Sequence, residues 1–158
     1  MVSDSKIRYF LILLSSSILI SSCNRKNDVI PDVTVNFSIS INDPQFTTLQ
    51  VFGGVVLVDA KTNNFGYQAA GYGGNGIIVF AGVDEFLAYD RTCPHDYAVN
   101  ELSQKISTDP SNSLTAICPR CSTFYALSAG GTPLKGPGQY PLKNYRTSFD
   151  GTYVRVWN

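Results

Sequence analysis

Apolar residues that alternate with polar ones are the feature that most constrains the fold of this 158-residue chain. In VTVNFSIS (33–40) every second residue is apolar, which is typical of a strand with one buried face. The segment LQVFGGVVLVD (49–59) is rich in β-branched residues and predicts a second strand, with a bulge or sharp bend at Gly53-Gly54. A period of two rather than 3.6 predicts a mainly antiparallel β domain without repeats.

Two hairpins follow from the same pattern. GIIVF (76–80) and EFLAYD (85–90) flank a short connector, and a second pair of strands flanks Asp150-Gly151 near the C-terminus. The Asp-Gly pair predicts a type I′ turn, which needs positive φ at both central positions. Only residues 100–106 predict a turn or two of helix, which Asp109-Pro110 would stop.

The N-terminus predicts export. Lys6 and Arg8 precede an apolar run (9–20) that is shorter than the ~20 residues of a membrane span and is typical of a secretory signal. The run ends in ISSC, which resembles a bacterial lipobox. The resemblance implies cleavage before Cys23 and acylation of this cysteine, and two or more acyl chains anchor a protein stably. The alternative is a plain signal peptide with a coincidental cysteine.

These features divide the chain into a signal peptide (1–22), a lipidated Cys23 with a polar tether (23–32) and one domain (33–158). We therefore expect an extracytoplasmic domain that is lipid-anchored to a bacterial membrane. The 12 basic and 12 acidic residues balance and form no basic stripe, so nucleic acid is not an expected partner.

Four soft or borderline metal donors fall in two short clusters. Cys93-x-His95 and Cys118-x-x-Cys121 are separated by residues 96–117, and each follows a predicted strand. Loops after strands can present ligands toward each other without burying unpaired backbone groups. The pattern indicates a metal centre with three thiolates and one imidazole.

The two clusters resemble those of Rieske iron–sulfur domains, which carry Cys-x-His and Cys-x-x-His on two loops around a [2Fe–2S] cluster. The resemblance implies an all-β fold, a Rieske-like antiparallel β sandwich or barrel with a cluster-binding loop subdomain at about 91–142. It also implies that Cys93 and Cys118 hold one iron, and that His95 and Cys121 hold the other. Here Cys121 replaces the second histidine of the family.

The likeness extends past the ligands. Where Rieske domains read Gly-Ser-x-Tyr, this chain reads STFY (122–125), so Thr123 and Tyr125 take the positions whose hydroxyls donate to cluster sulfurs. The segment LKGPGQYPL (134–142), which contains Pro137, is similar to the loop that covers the cluster. One thiolate in place of an imidazole makes the centre more negative. Its potential should fall below that of a regular Rieske site and stay above the plant-type value of about −400 mV.

The resemblance implies a membrane-tethered one-electron carrier rather than an enzyme, with a transient redox protein partner and no small-molecule substrate. A Rieske oxygenase also needs a second iron held by two histidines and a carboxylate, and this chain has one histidine.

Two alternatives stay open for the metal pattern. One is a structural zinc site of the Cys₃His type. The other is a Rieske fold without its cluster, in which Cys118 and Cys121 form a disulfide or remain thiols. Either would make the protein a non-redox interaction or scaffold lipoprotein. The signal has no Arg-Arg pair, so it does not predict the export route of proteins that leave the cytoplasm already folded.

Overall fold

A computed structural model describes residues 29–62 and 66–158. The predicted signal peptide and Cys23 lie outside these residues. The described strands are β1 (Asn36–Ser40), β2 (Val55–Val58), β3 (Ile77–Ala81), β4 (Phe86–Asp90), β5 (Ser107–Asp109), β6 (Asn112–Ile117), β7 (Phe124–Ala126), β8 (Thr132–Lys135), β9 (Asn144–Phe149) and β10 (Tyr153–Trp157). Short 3-10 helices lie at Thr47–Gln50, Gly66–Ala69, Tyr72–Gly74 and Leu127–Ala129, and the α-helix α1 spans Pro94–Asn100. None of the helices in these ranges is long and apolar enough to cross a bilayer.

The strands form two sheets. The larger has the order β1-β10-β9-β4-β3-β2, and the smaller has the order β5-β6-β7-β8. Every neighbouring pair of strands in both sheets is antiparallel. The prediction of a mainly antiparallel all-β domain with two hairpins is therefore confirmed. The smaller sheet lies within the segment predicted to bind the cluster.

Strand β3 separates two apolar cores. All five of its residues are buried, because Ile77, Val79 and Ala81 face one core and Ile78 and Phe80 face the other. This explains why GIIVF is continuously apolar, since a strand that is covered on both faces has no polar side. The second core fills the space between the sheets and contains two of the candidate ligands: its buried members are Ile78, Phe80, Tyr89, Cys93, Ile106, Ala116, Cys118, Tyr125, Leu127 and Leu142.

The strand predicted at 49–59 was partly wrong. Residues Thr47–Gln50 form a 3-10 helix, and the strand begins only at Val55. The chain turns back on itself at Gly54, where a Cβ atom would lie 1.7 Å from the carbonyl oxygen of Thr48. The Gly-Gly pair therefore marks a tight turn before the strand. The first strand is also shorter than predicted and begins at Asn36.

The helix predicted at 100–106 was wrong, since α1 ends where it should begin. Cys93 has extended backbone angles and is the N-cap, and Pro94 is the first helical residue. Proline suits that position because it lacks an N–H that the first turn cannot use. The helix ends at Asn100 and is followed by the C-cap Glu101, which adopts a φ of 52°.

The turn of the C-terminal hairpin also differs from the prediction. Positive φ occurs at Gly151 (98°) but not at Asp150, so the turn is not type I′. Instead, Asp150 Oδ1 accepts hydrogen bonds from the backbone N–H groups of Thr152 (2.9 Å) and Tyr153 (2.7 Å). The aspartate side chain thus organises a longer loop in place of a two-residue turn.

The described N-terminal segment is attached to the larger sheet. Ile30 is buried. The largely buried Lys143 donates hydrogen bonds from Nζ to the carbonyl oxygen of Ile30 at 2.8 Å and to Asp32 Oδ1 at 2.6 Å. Residues at the end of the predicted tether are thus in contact with the domain. The boundary at residue 33 stays a prediction.

Replacing Lys143 with methionine should release this segment while keeping the apolar stem packed. The loss of two hydrogen bonds should lower the free energy of unfolding by about 1–3 kcal/mol. Hydrogen exchange should become faster at residues 30–35, and urea unfolding should give the stability change. Lys61→Met, at an exposed position, is the matched control. Equal behaviour of the two variants would contradict the role of Lys143.

Candidate metal centre

Cys93 is placed by the chain that leaves β4. Its backbone N–H donates to the carbonyl oxygen of Gln104 at 2.8 Å, one residue after Thr92 pairs with Lys105 in an isolated bridge. The side chain is fully buried in the second core. The last residue before α1 is thus held on both sides, by the strand pairing before it and the helix after it.

Cys118 and Cys121 lie in the turn between β6 and β7. Cys118 donates its N–H to the carbonyl oxygen of Thr123 at 3.0 Å and accepts the N–H of Ser122 at 3.0 Å. Ser122 has a φ of 57°, a left-handed conformation that costs a non-glycine residue about 1 kcal/mol or more. The Rieske pattern has glycine at this position.

Four donor side chains converge where the two segments meet. One donor atom from each of Cys93, Asp96, Cys118 and Cys121 lies within 4.8 Å of the other three. The Sγ atoms of Cys93 and Cys121 are 3.6 Å apart, and the thiol of Cys118 donates to Asp96 Oδ2 at 2.9 Å. The structure thus brings together three of the four predicted ligands and adds Asp96, which the sequence did not identify as a ligand.

His95 is not part of this group. It follows Cys93 by two positions in α1 and is half-buried. Each residue of a helix is rotated by about 100° from the one before, so position 96 returns to the side of Cys93 while position 95 turns away. The role of His95 as a ligand stays a prediction.

Two buried hydroxyl groups contact the sulfur atoms. Tyr125 Oη lies 3.4 Å from Cys93 Sγ, and the thiol of Cys121 donates to Thr123 Oγ1 at 3.2 Å. Both hydroxyl-bearing residues are fully buried. When the sulfurs are thiolates they have no proton to donate, so the hydroxyls would become the donors. The predicted roles of Thr123, as a donor to a bridging sulfide, and of Tyr125, as a donor to a cysteine sulfur, stay predictions.

The loop at 136–138 lies against Thr123. Gly138 donates its N–H to Thr123 Oγ1 at 3.0 Å, and a Cβ atom on it would lie 2.5 Å from Thr123 Cγ2. Gly136 has a φ of 100°, and its added Cβ would lie 2.7 Å from Thr123 Cα. Pro137, between the two glycines, is exposed. The glycines allow the close approach, and the proline forms the outer side of the loop.

The three thiols do not share one electrostatic environment. The contact with the Cys118 side chain, with a smaller contribution from the Tyr125 hydroxyl, lowers the pKa of Cys93 from 9.0 to about 6, although burial opposes this change. The same contact with Cys93, together with burial and the nearby Asp96, raises the pKa of Cys118. Burial raises the pKa of Cys121. Cys93 is therefore the most acidic of the three thiols.

The chemistry of this donor set suits a metal–sulfur centre. Cys93, Cys118 and Cys121 are free thiols on two separate loops. Thiolates are soft ligands that select iron–sulfur clusters and zinc, and a buried carboxylate can complete such a site. Hydroxyl groups beside the sulfurs can stabilise the negative charge of bound thiolates. The residues thus fit both an iron–sulfur cluster and a single ion.

Comparison with known proteins found no matching family model and no matching curated protein. Among solved structures, a chain of the complex of reduced oxygenase and oxidized ferredoxin in carbazole 1,9a-dioxygenase is 16% identical, with a TM-score of 0.47 over 78% of this chain and 93% of that chain. The ferredoxin of carbazole 1,9a-dioxygenase from Nocardioides aromaticivorans IC177 is 16% identical, with a TM-score of 0.45 over 79% and 97%. The Sphingomonas yanoikuyae B1 ferredoxin is 20% identical, with a TM-score of 0.37 over 52% and 74%. All three TM-scores are below 0.5, so the chemistry of the site is inferred from its own residues and distances and not from these likenesses.

Proposed function

We propose that this protein is a one-electron carrier with a Rieske-like [2Fe–2S] centre held by Cys93, Cys118 and Cys121. The observation that carries the proposal is the meeting of three free thiols from two separate loops in one largely buried site. Two of these thiols are fully buried. Two of the three sulfurs are each in contact with a different hydroxyl group, that of Tyr125 or that of Thr123.

The protein's own residues would hold the centre and set its environment. A bound cluster would supply the one-electron chemistry. Tyr125 and Thr123 would donate hydrogen bonds to thiolate sulfurs and so stabilise the more negative, reduced state. The loop at 136–138 packs on Thr123 and separates this hydroxyl from solvent.

The location and the partner are part of the same proposal. The lipobox-like ISSC motif supports acylation of Cys23 and a position on the extracytoplasmic side of a bacterial membrane. A carrier of this kind needs a protein that donates electrons and one that accepts them. Such redox encounters are weak and bury little surface.

Metal and sulfide analysis of protein purified without oxygen tests the function. We expect about two irons and two sulfides per chain, as a [2Fe–2S] centre contains. We also expect a red-brown colour that bleaches when dithionite is added. A colourless protein that contains no iron would rule out the electron carrier.

A structural zinc site is the second candidate, and the spacing of the donors favours it. In a tetrahedral zinc site, bonds of about 2.3 Å to sulfur place the donors roughly 3.8 Å apart. The observed 3.6 Å between Cys93 Sγ and Cys121 Sγ matches that distance. Ligands on opposite irons of a cluster are farther apart, because the two metals separate them. One zinc per chain and no visible absorption would establish this candidate in place of the carrier.

Replacing Tyr125 with phenylalanine should lower the reduction potential by tens of mV, since a hydrogen bond is worth about 1 kcal/mol. The physical reason is the loss of the hydroxyl 3.4 Å from Cys93 Sγ, which would leave the reduced centre less stabilised. Potentiometric titration of the visible spectrum measures the change. Tyr89→Phe is the matched control, because Tyr89 lies in the same core but donates to the carbonyl oxygen of Leu127. Equal potentials in the two variants would contradict the proposed contact.

A further inference from the structure

Asp96 is a buried carboxylate that faces the thiols. Its side chain is 4% exposed, and Oδ2 accepts a hydrogen bond from Cys118 Sγ at 2.9 Å. The nearest cationic group is the guanidinium of Arg120, whose Nε lies 3.8 Å from Oδ1 and whose side chain is 55% exposed. A buried charge is costly unless it is closely paired or binds a metal. This long, solvent-exposed contact is a weak partner for Asp96.

The local backbone points Asp96 into the site. It is the third residue of α1, and Cys93 is the N-cap of that helix. The N-cap and the third helical residue lie on the same side of a helix, which is the geometry used by the capping box. The carboxylate therefore lies on the side of Cys93, within 4.8 Å of its sulfur and hydrogen-bonded to Cys118, and His95 is not part of this group.

We propose that Asp96 is the fourth ligand of the metal centre, in place of His95. The assignment rests on the proposed metal centre. For a single ion it requires no rearrangement of α1, since the carboxylate oxygen already lies within 4.8 Å of all three sulfurs. For a two-iron cluster the same four side chains would have to move apart to make room for the second metal. Carboxylate oxygen is an established ligand of zinc and iron beside thiolate sulfur.

An Asp96 ligand changes the charge of the site. Three thiolates and one carboxylate carry four negative charges, whereas three thiolates and an imidazole carry three. A more negative centre is harder to reduce, so a cluster with Asp96 bound should have a potential closer to that of fully thiolate-ligated centres. The side chain of Arg120 would then offset part of the extra charge at the rim.

Titration of the metal-free full-length protein with Co²⁺ tests the assignment without any need for cluster assembly. Tetrahedral Co²⁺ has visible bands, and its thiolate charge-transfer bands in the near ultraviolet grow with the number of bound sulfurs. Asp96→Asn should weaken Co²⁺ binding by at least about 10-fold. Mutation of a residue that only supports a ligand typically costs this much affinity, and loss of a ligand should cost at least as much. His95→Gln, one residue away, is the matched control and should leave the affinity unchanged.

The variant Asp96→Cys separates a ligand from a merely structural residue. If position 96 binds the metal, this variant should keep the tetrahedral spectrum and gain charge-transfer intensity from a fourth thiolate. An unchanged charge-transfer intensity, or a loss of affinity in His95→Gln but not in Asp96→Asn, would overturn the assignment. Wild-type protein that binds no Co²⁺ would overturn it as well. The proposed electron transfer fails separately, when protein purified from cells contains no iron although Co²⁺ binds as expected.

Discussion

Replacing Cys118 with serine is expected to abolish metal binding and to lower the free energy of unfolding by about 3 kcal/mol or more. A metal that binds only the folded state stabilises it by about 2.7 kcal/mol when its free concentration is 100 times its dissociation constant. Cys118 is fully buried and contacts Asp96, so no other described cysteine can take its place from the same turn without moving the backbone. Metal analysis and thermal unfolding measure the two effects.

A chelator provides the control for this variant. It should lower the unfolding temperature of the wild-type protein to near that of Cys118→Ser, and it should have no effect on the variant. These two results together would show that the lost stability is that of the bound metal rather than a defect of the β6–β7 turn. A variant that retains its full metal content would exclude Cys118 as a ligand.

Replacing Gly136 with alanine is expected to destabilise the protein by about 2–4 kcal/mol, from backbone strain and overpacking together. Its φ of 100° is unfavourable for any residue with a side chain. The added Cβ would also lie 2.7 Å from Thr123 Cα and 2.8 Å from the carbonyl oxygen of Ser122. Because both contacts are to backbone, a side-chain rotation cannot relieve them, and the loop at 136–138 must move off Thr123. The metal should then be lost to a chelator faster.

Gly151→Ala is the matched control for this prediction. Gly151 has a nearly identical φ of 98°, and a Cβ atom there would meet nothing within 4 Å. The two variants share the backbone strain, so the difference between them measures the contact with the metal-binding turn. Urea unfolding and the rate of metal release are the measurements. Similar values for both variants would show that the loop does not cover the site.

The position of residue 96 in the site was predictable from the sequence, because the residues after Cys93 carry a helix-start signal. Pro94, directly after Cys93, and an acidic residue in the next two positions are typical of a helix start. A helix there places residue 96 beside the N-cap side chain. The interpretation of this segment as the start of a loop favoured His95 as the ligand, and that role stays a prediction. The helix was therefore predicted six residues too late along the chain, in a segment that contains the fully buried Ile106.

The sequence by itself determined the class of the fold and the chemistry of the donors. Alternating apolar residues predicted strands with one buried face, whereas the burial of GIIVF on both sides became evident only in the structure. The thiols of Cys93, Cys118 and Cys121 restricted a bound metal to those that prefer sulfur.

Only the tertiary structure decided which donors meet. Cys93 and Cys118 are far apart in the chain, and they come together because both belong to the core between the two sheets. Whether Asp96 or His95 faces them depends on the rotation of a single helical turn. That rotation is set by the pairing before Cys93 and the helix after it. The types of residue determine which metals a site can bind, whereas long-range packing determines how far apart the donor atoms of that site lie.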